Sequence, residues 1–591
     1  MIKLALELRP NDVEALVNFG NIFYLSKRFE EAVTCYTRAL SMRPDANTWT
    51  NLGNAFHRLG RRNDALASFC NALALEPDDI QALYKRAVML GELGNIDEAL
   101  VAYDRVLALK PDDFEAFNNR AFLMWKHKRD LSKPIADLEL ALSRTPNLPY
   151  AAGEVLHMKS YLADWNEYEF QKKRLFNGIA AGERVARPFM FQAVANCPQM
   201  LQECARIYTR DRHPVVAIAK GYSSPNVREK IRLGYLSGEF NQQATAILMA
   251  GIYEHHDRKR FEVVAVDNGS ANGSAMTTRL KQSFDQWIDI GPLDDDEAAN
   301  TIASSGIDIL INLNGYFGQH RMGVFARRPA PIQVNYLGFP GTLGAPYIDY
   351  IIADDVVIPP EEYRFYDEKV VILPGCYQAN DNRGRLISAP PGRATAGLPE
   401  QRFVFCSFNS SYKLTPETFA SWMRILKGVN KSVLWLLEGN EGFSKNILRH
   451  AEASGVAPER IIFAPEKPLD QHLARLCLAD LFLDSLPYNA HTTASDALWG
   501  GVPVLTLRGT TFPGRVAASI LYAAGLPELI TERIEDFEAL AVKLATTPGE
   551  IDHIKEKMSK ECPLYDTELH CRKLENAFIQ MWEVHLSGES K

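Results

Sequence analysis

The sequence predicts two kinds of structure in one chain: an α/α solenoid, followed by an α/β region of two lobes that each contain a parallel sheet. Prolines recur at a period near 34 residues through the first quarter of the chain. From residue 230 onward, short β-branched runs alternate with helical patterns, as in βαβ units. A stretch rich in Gly, Pro and Asn, residues 376–400, separates these runs into two series. At 591 residues, the chain is also too long for a single hydrophobic core.

The predicted solenoid spans residues 1–146, with its prolines at Pro10, Pro44, Pro77 and Pro111. Within each period the same residue classes recur, and the second repeat shows them as Trp49, Leu52, Gly53, Phe56, Gly60, Ala65, Phe69 and Ala72. This pattern resembles the tetratricopeptide repeat, in which small residues let two antiparallel helices approach and proline follows the second helix. The fourth repeat is expected to be degraded: Ala121 fits the pattern, but Pro134 falls where the interior of a helix is expected.

One position in the first helix of each repeat carries a polar side chain, namely Asn18, Asn51, Lys85 and Asn119. A solenoid has a concave face, where Asn amides can bind the backbone of an extended peptide without reading its sequence. These residues predict a protein or peptide acceptor on the concave face. The alternative is that asparagine is only a tolerated polar residue at this position.

Residues 147–230 have the pattern of a helical linker, with a helix break at Pro198 and no motif typical of chemistry. Two Rossmann-like lobes follow, over 231–395 and 396–591, and the second ends in a helix at about 566–586 with an apolar stripe. A ligand of such lobes binds outside the carboxyl ends of the strands, in the cleft between them. The predicted strands are 231–236, 261–266, 307–313, 332–337, 350–353, 403–405, 432–437, 460–463, 481–483 and 502–505.

The stretch from Pro487 to Asp496 is a candidate anion site, because it links a buried-strand pattern to the start of a helix. The first N–H groups of a helix lack intrahelical partners and carry partial positive charge. Thr492 and Thr493 can add hydroxyl donors, and His491 can add a ring N–H. The same stretch is also compatible with an ordinary capped helix.

Composition excludes several classes of function. The formal net charge of −8 argues against general nucleic-acid binding. No apolar run has the roughly 20 residues of a membrane span, and the first eight residues lack the apolar core of a signal peptide. The nine cysteines are scattered without a CxxC pair, which is typical of reduced thiols and gives no zinc site. The sequence therefore predicts a cytoplasmic protein that binds neither nucleic acid nor membrane.

Longer motifs occur in both lobes: RPAPIQ (328–333), YLGFPGT (336–342), FNSSYK (408–413), SVLWLL (432–437), LAD (478–480), NAHTT (489–493) and RVAAS (515–519). Together with the repeats, they resemble the bacterial, SPINDLY-like branch of the O-linked N-acetylglucosamine transferases over nearly the whole chain. The resemblance implies a GT-B fold that transfers GlcNAc from UDP-GlcNAc to Ser or Thr of a protein. It also implies inversion of the anomeric carbon, with no metal or other cofactor.

The resemblance assigns roles to single residues. Lys413 matches the lysine that contacts the diphosphate and helps the leaving group depart, which a metal-free transfer requires. Asp496 matches the acid that holds the ribose, and His472 matches a histidine that stacks on uracil. The remaining matches are Gly338 in the sugar pocket, His491, Thr492 and Thr493 at the diphosphate, and Lys467 and Arg475 near the base.

The loop after the first strand of the N-terminal lobe departs from the family pattern. Glu239 occupies the place of the family's acid, and Thr245 occupies the sugar-facing place. However, Gln243 replaces a His and Ala244 replaces a Pro. Because glutamine cannot take a proton near neutral pH, Glu239 is the remaining candidate for activating the acceptor. In the donor site, Ser410 stands where some members have Gln.

Two alternatives stay open at this point. One is the same fold with another donor, such as GDP-fucose. The other is a non-catalytic repeat scaffold that binds nucleotide, which Gln243 favours and Lys413 opposes. The acidic residues 294–297 could suggest a metal, but their position predicts a helix N-terminus, where acids suit the helix dipole.

Overall fold

The structure, a computed structural model, describes residues 12–127, 130–216, 229–269 and 272–588. It divides into two compact units, the first ending at Ala151 and the second beginning at Ala152. Pro10 of the predicted repeats and residues 217–228 of the predicted linker lie outside the described residues. Across the described ranges, no helix is both long and apolar enough to cross a membrane.

The first unit is built of antiparallel helix pairs, as the repeat pattern predicts. A side chain at Gly53 would place its Cβ 2.6 Å from the ring of Phe69, so the small residue is what allows the two helices to approach. Gly20 faces Tyr36 in the same way one repeat earlier. The helices are α1 (Val13–Leu25), α2 (Phe29–Met42), α3 (Ala46–Arg58), α4 (Arg62–Leu75), α5 (Ile80–Glu92), α6 (Ile96–Leu109), α7 (Phe114–Lys126) and α8 (Ser132–Arg144).

The expectation that Pro134 lies in the interior of a helix is wrong. Helix α8 begins at Ser132, so Pro134 lies in its first turn. The N–H groups of a first turn have no intrahelical partner, and proline therefore costs the helix no hydrogen bond there. The helix starts later than the spacing of the earlier repeats suggests.

The polar position of the repeats is only partly free for a ligand. Asn18 is exposed. The Nδ2 atom of Asn51 donates to Oδ1 of Asn21 at 3.2 Å, and that of Asn119 donates to the Tyr84 hydroxyl at 2.8 Å. Asparagine thus also links neighbouring helices within the array.

In the second unit, the helices before the lobes pack against both of them. Gln192 donates to the carbonyl of Pro340 in the N-terminal lobe at 3.0 Å. Asn446 of the C-terminal lobe donates to the carbonyl of Leu162 at 2.8 Å. Pro198 begins a helix, in agreement with the predicted break. These helices are α9 (Ala151–Tyr161), α10 (Tyr168–Ala180), α11 (Pro188–Gln192) and α12 (Pro198–Arg212).

Each lobe contains one all-parallel sheet, and every predicted strand is present. Among the described residues, the strand order is β3-β2-β1-β4-β5-β6-β7 in the N-terminal lobe and β10-β9-β8-β11-β12-β13 in the C-terminal lobe. The strands are β1 (Ile231–Ser237), β2 (Phe261–Asp267), β3 (Gln286–Asp289), β4 (Ile309–Asn312), β5 (Ile332–Asn335), β6 (Tyr350–Ala353), β7 (Lys369–Ile372), β8 (Phe403–Ser407), β9 (Ser432–Leu437), β10 (Ile461–Ala464), β11 (Leu481–Leu483), β12 (Val504–Leu507) and β13 (Ile530–Thr531).

Helices cover the sheets of both lobes, and the last helix returns to the first lobe. Of its predicted stripe, Leu574, Phe578 and Met581 are buried and Trp582 is half-buried. His570 hydrogen-bonds the hydroxyl of Tyr336 at 2.9 Å. The helices are α13 (Ala244–His255), α14 (Ala275–Ser283), α15 (Asp295–Ser305), α16 (Met322–Phe325), α17 (Pro416–Gly428), α18 (Glu441–Ala453), α19 (Leu469–Leu476), α20 (Thr492–Trp499), α21 (Val516–Ala523), α22 (Ile534–Thr546), α23 (Glu550–Lys557) and α24 (Thr567–Ser587).

Candidate active site

The predicted site residues follow the central strands of the two sheets. Strand order reverses beside β1 in the N-terminal lobe and beside β8 in the C-terminal lobe. Glu239 follows β1, Lys413 follows β8, and His491 follows β11, the neighbour of β8. In doubly wound sheets the crevice for a ligand opens at this reversal, at the carboxyl ends of the strands.

Lys413 ends a short 3₁₀ turn, Ser411–Lys413, and its side chain is buried. Its ammonium donates to the carbonyl of Asn489 at 2.9 Å and lies 4.2 Å from the centroid of the Tyr488 ring. Burial lowers the pKa of Lys413 to about 7, and the charge of Asp484 acts in the opposite direction. The pKa of Lys413 therefore lies near neutral pH, and an anion bound beside the ammonium would raise it.

Hydrogen bonds of Asp484 hold the loop that carries Asn489. The carboxylate of Asp484 accepts the backbone N–H of Ala490 and the hydroxyl of Thr506, both at 2.6 Å. Burial raises the pKa of Asp484 to about 6, while these donors favour its ionised form. The amide of Asn489 donates to the carbonyl of Ser485 at 2.9 Å. The carbonyl that Lys413 contacts therefore has a defined position.

At the start of helix α20, the first backbone N–H groups are available to a ligand. The first backbone hydrogen bonds into the helix come from Ala494 and Ser495, which leaves the N–H groups of Thr492 and Thr493 without a partner among the described residues. The hydroxyl of Thr493 donates to Oδ1 of Asn409 at 2.6 Å. This helix start can therefore bind an anion through backbone N–H groups.

His491 differs from its predicted use as a ring N–H donor to an anion. Its Nε2 lies 3.1 Å from the carbonyl of Pro513, and its ring stacks on Tyr488 with centroids 4.7 Å apart. A carbonyl only accepts, so Nε2 carries the hydrogen and Nδ1 is an acceptor. Burial, followed by the charge of Lys413, lowers the pKa of His491, which keeps the ring neutral.

Comparison with known protein families accounts for this arrangement. The family described as glycosyl transferase family 41 matches residues 212–388 and 385–574, which is more than half of the chain. The chain belongs to glycosyl transferase family 41. Tetratricopeptide repeat families match residues 20–60, 46–79 and 89–128 of the first unit.

Named relatives agree with this membership. The chain is 37% identical over 370 residues to a probable UDP-N-acetylglucosamine–peptide N-acetylglucosaminyltransferase SEC of Arabidopsis thaliana, covering 61% of the chain and 38% of that protein. It is 26% identical over 556 residues to the corresponding transferase of Caenorhabditis elegans, covering 72% of the chain and 48% of that protein. The chain thus spans about half or less of the length of these relatives.

A solved structure covers more of the family 41 chain. A mutant of the O-GlcNAc transferase of Thermobaculum terrenum superposes with a TM-score of 0.72 at 26% identity. The match covers 92% of this chain and 98% of that one. The helical repeats and the two Rossmann-like lobes predicted from the sequence are therefore shared with this solved O-GlcNAc transferase.

In the family 41 chain, the residues matched to base binding lie around β8 and α19. The Arg475 guanidinium lies 5.0 Å from the ring of Phe408 and donates to Nδ1 of His472 at 2.9 Å. Burial and the Arg475 charge lower the pKa of His472 to about 4, so its ring stays neutral and half-buried. Lys467 and Ser410 are exposed on loops.

Asp496, matched to the ribose, has a partner that sequence reasoning missed. It is buried in α20 and forms an ion pair with Arg385, which comes from the segment connecting the lobes. Burial raises the pKa of Asp496, and the Arg385 charge opposes this. No local signal could have found the pair, because the two residues are 111 positions apart.

On the N-terminal side, Glu239 and Thr245 are buried and Gln243 is exposed. Burial raises the pKa of Glu239, and a hydrogen bond with the Thr245 hydroxyl opposes the rise. Gln243 is the N-cap residue of α13, without a side-chain capping bond. At Gly338, a Cβ would overlap the carbonyl of Leu313, so only glycine permits this close approach.

Sequence reasoning also missed an aromatic cluster around Lys413. Tyr412 contacts His157 and Tyr161 of α9, with centroids 5.1 and 5.4 Å away. Phe189 packs near both Tyr412 and Tyr488. The sequence contained one sign of this cluster, because Tyr412 and Tyr488 each lie within a stretch already proposed as part of the site. The helices before the lobes thus form part of the wall behind the lysine.

The residues that could hold a metal lie elsewhere. In the part of the chain that the structure describes, one cluster has metal-ligand spacing, formed by His256, Cys571 and Glu575. Its His256 Nδ1 and Glu575 Oε1 already hydrogen-bond at 3.0 Å, and none of its members is a predicted site residue. The acids 294–297 form a capping box at the start of α15, which confirms their prediction as a helix N-terminus.

Proposed function

We propose that this family 41 chain transfers N-acetylglucosamine from UDP-GlcNAc to serine or threonine hydroxyls of a protein, with inversion and without a metal. The observation that carries the proposal is the buried Lys413 ammonium, bonded to the Asn489 carbonyl just before α20, together with the first N–H groups of α20, which have no partner among the described residues. These are the donors that a leaving diphosphate needs when no metal is present. Relatives named as UDP-GlcNAc–peptide transferases support the choice of donor.

On the donor side, the bond from the anomeric carbon to the diphosphate breaks, and negative charge develops on the departing oxygen. Lys413 and the Thr492 and Thr493 N–H groups supply the stabilising charge. An anion beside a lysine raises the lysine pKa, so the approach of the donor itself keeps Lys413 protonated. His491, neutral and fixed by Pro513, shapes the site without adding charge.

On the acceptor side, the hydroxyl oxygen forms the new bond to the anomeric carbon and gives up its proton. We assign the proton to Glu239, since its raised pKa makes the carboxylate a stronger base than an exposed one. Gln243 cannot perform this step and is exposed. The tetratricopeptide repeats recruit the polypeptide that bears the hydroxyl, with exposed Asn18 as one contact on the concave face.

The test is release of UDP from UDP-GlcNAc in the presence of a peptide mixture and a chelator, with sugar on the peptide detected by mass spectrometry. We expect activity that survives the chelator and falls roughly 10²- to 10³-fold in Lys413→Ala, the scale of losing one transition-state donor. The matched control is Lys427→Ala, which removes an exposed lysine from α17. Loss of activity with the chelator contradicts the metal-free mechanism.

Binding measurements with UDP, UDP-GlcNAc and GDP-fucose, made beside this assay, separate the alternatives. If GDP-fucose binds more tightly than UDP-GlcNAc, GDP-fucose is the better candidate for the donor. If the chain binds UDP but releases no UDP from UDP-GlcNAc with any acceptor, it is a nucleotide-binding scaffold. The replaced residues of the Gln243 loop would then account for the missing transfer.

A further inference from the structure

We propose that Arg385 is a positioning residue of the donor site, which orients Asp496 so that one carboxylate oxygen faces the ribose of the nucleotide. The inference rests on the proposed function, because it takes a nucleoside diphosphate sugar as the ligand. It adds a role for the segment between the lobes, residues 380–388, which no family motif of the sequence includes.

The first observation is that the two carboxylate oxygens of Asp496 have different surroundings. One oxygen, Oδ1, accepts from Nη1 of Arg385. The other, Oδ2, has no partner among the described residues and is not among the fully enclosed polar atoms. A carboxylate with one oxygen fixed and one open is suited to accept a hydroxyl of a ligand.

The second observation is that Arg385 is fastened to the same helix as Asp496. Its side chain is completely buried, and Nη2 donates to Oδ1 of Asn380 at 2.8 Å and to Oγ of Ser495 at 3.4 Å. Its backbone carbonyl accepts from Nε1 of Trp499, also in α20, at 3.0 Å. The planar fork of a guanidinium can satisfy several such acceptors at once, which an ammonium cannot do.

The connecting segment is held at both ends. At one end, the hydroxyl of Thr567 donates to the carbonyl of Asn380 at 2.8 Å, and Asp381 pairs with Arg279 of the N-terminal lobe. At the other end, Ser388 hydrogen-bonds Asp470, two residues before His472 in α19. The segment therefore runs from the predicted ribose contact to the predicted base contact.

A purely structural role explains less of this arrangement. Burying a guanidinium and a carboxylate costs desolvation energy that their attraction roughly offsets, so such a pair adds little net stability over an apolar pair. Removing the guanidinium leaves Asp496 buried without its partner, free to rotate or to take up a proton. Either change removes the oriented acceptor, and the loss falls on the ribose hydroxyls specifically.

The experiment measures binding of UDP, 2′-deoxy-UDP and 3′-deoxy-UDP by calorimetry. We expect the wild-type protein to prefer UDP over one of the deoxy compounds by roughly tenfold or more, the scale of a hydrogen bond to a charged group. In Arg385→Met, this preference falls to within about twofold. The matched control is Arg279→Met, which breaks the other guanidinium–carboxylate pair of the segment and leaves Asp496 untouched.

Equal weakening of all three ligands in Arg385→Met, with the preference kept, overturns the inference. If that variant does not fold, Arg385→Lys decides. This variant keeps the charge and loses the fork, so a preference reduced at least threefold supports positioning, and an unchanged preference refutes it. A wild-type protein that binds no UDP overturns the proposed donor as well, whereas UDP binding with an unchanged ratio refutes Arg385 alone.

Discussion

The two sides of the cleft differ in how completely their side chains are organised. On the proposed donor side, Lys413, His491 and Thr493 each have a partner within the C-terminal lobe. On the proposed acceptor side, Glu239 and Thr245 are buried and hydrogen-bonded to one another, while Gln243 is exposed. The donor site is therefore preorganised by its own contacts. The acceptor side depends on one carboxylate, with no second titratable group from its own loop.

Glu239→Gln gives the largest expected effect and tests the acceptor side directly. We expect peptide glycosylation to fall roughly 10²- to 10⁴-fold, the contribution of a general base, while UDP-GlcNAc affinity stays within about twofold. Steady-state rates and calorimetry measure the two quantities. The exposed Glu361→Gln in the same lobe is the control. Wild-type rates in Glu239→Gln would contradict the assigned role of this carboxylate, because another group would then take the proton.

The pH dependence of donor binding tests the preorganised side. Lys413 has a pKa of about 7 in the empty site, and a bound diphosphate raises it. Binding therefore takes up a proton above pH 7, so affinity is greatest below pH 7 and falls as pH rises, by up to about tenfold per pH unit.

Calorimetry with UDP-GlcNAc between pH 6 and 9 checks this expectation. Lys413→Arg stays charged over the whole range and should flatten the profile. A wild-type profile without slope would show that Lys413 is already fully protonated in the empty site.

Tyr488→Leu removes the ring that lies between Lys413 and His491. A cation–π contact contributes about 0.5–2 kcal/mol, so we expect kcat/KM to fall from a few-fold to roughly thirtyfold. The loss should appear in donor binding as well as in turnover, because both neighbours of the ring belong to the donor side. The exposed Tyr522→Leu is the control, and equal activity of both variants would contradict the role of the ring.

Gln243→Ala should have the smallest effect. The side chain is exposed and makes no capping bond, so both activity and stability should stay within about twofold, as for ordinary surface positions. Gln242→Ala, a neighbouring exposed position, sets the baseline. A tenfold loss of activity in Gln243→Ala but not in Gln242→Ala would show that the bound acceptor contacts Gln243. The acceptor side would then depend on more than the Glu239 carboxylate.

The buried strands could be predicted from the sequence because apolar β-branched runs carry their own signal. Strands β3, β7 and β13 were not predicted, since they lie at sheet edges, are short and mix polar with apolar residues. Lys413, Asp496 and residues 491–493 could be named as candidates because each belongs to a local motif. The hydrogen bonds of Asp484, Asn409 and Arg385 that hold this region could not be predicted, since they join residues that only the folded chain brings together.

The return of α24 to the N-terminal lobe has a consequence for how this chain can be divided into fragments. Its Glu575 accepts from the backbone N–H of Asp257 at 2.7 Å, and the thiol of its Cys571 donates to the carbonyl of Ile252 in α13 at 3.6 Å. A fragment cut between the lobes would leave the N-terminal one without a helix that it needs. The two lobes are therefore interlocked by chain topology, and a split version should regain its fold only when both pieces are supplied together.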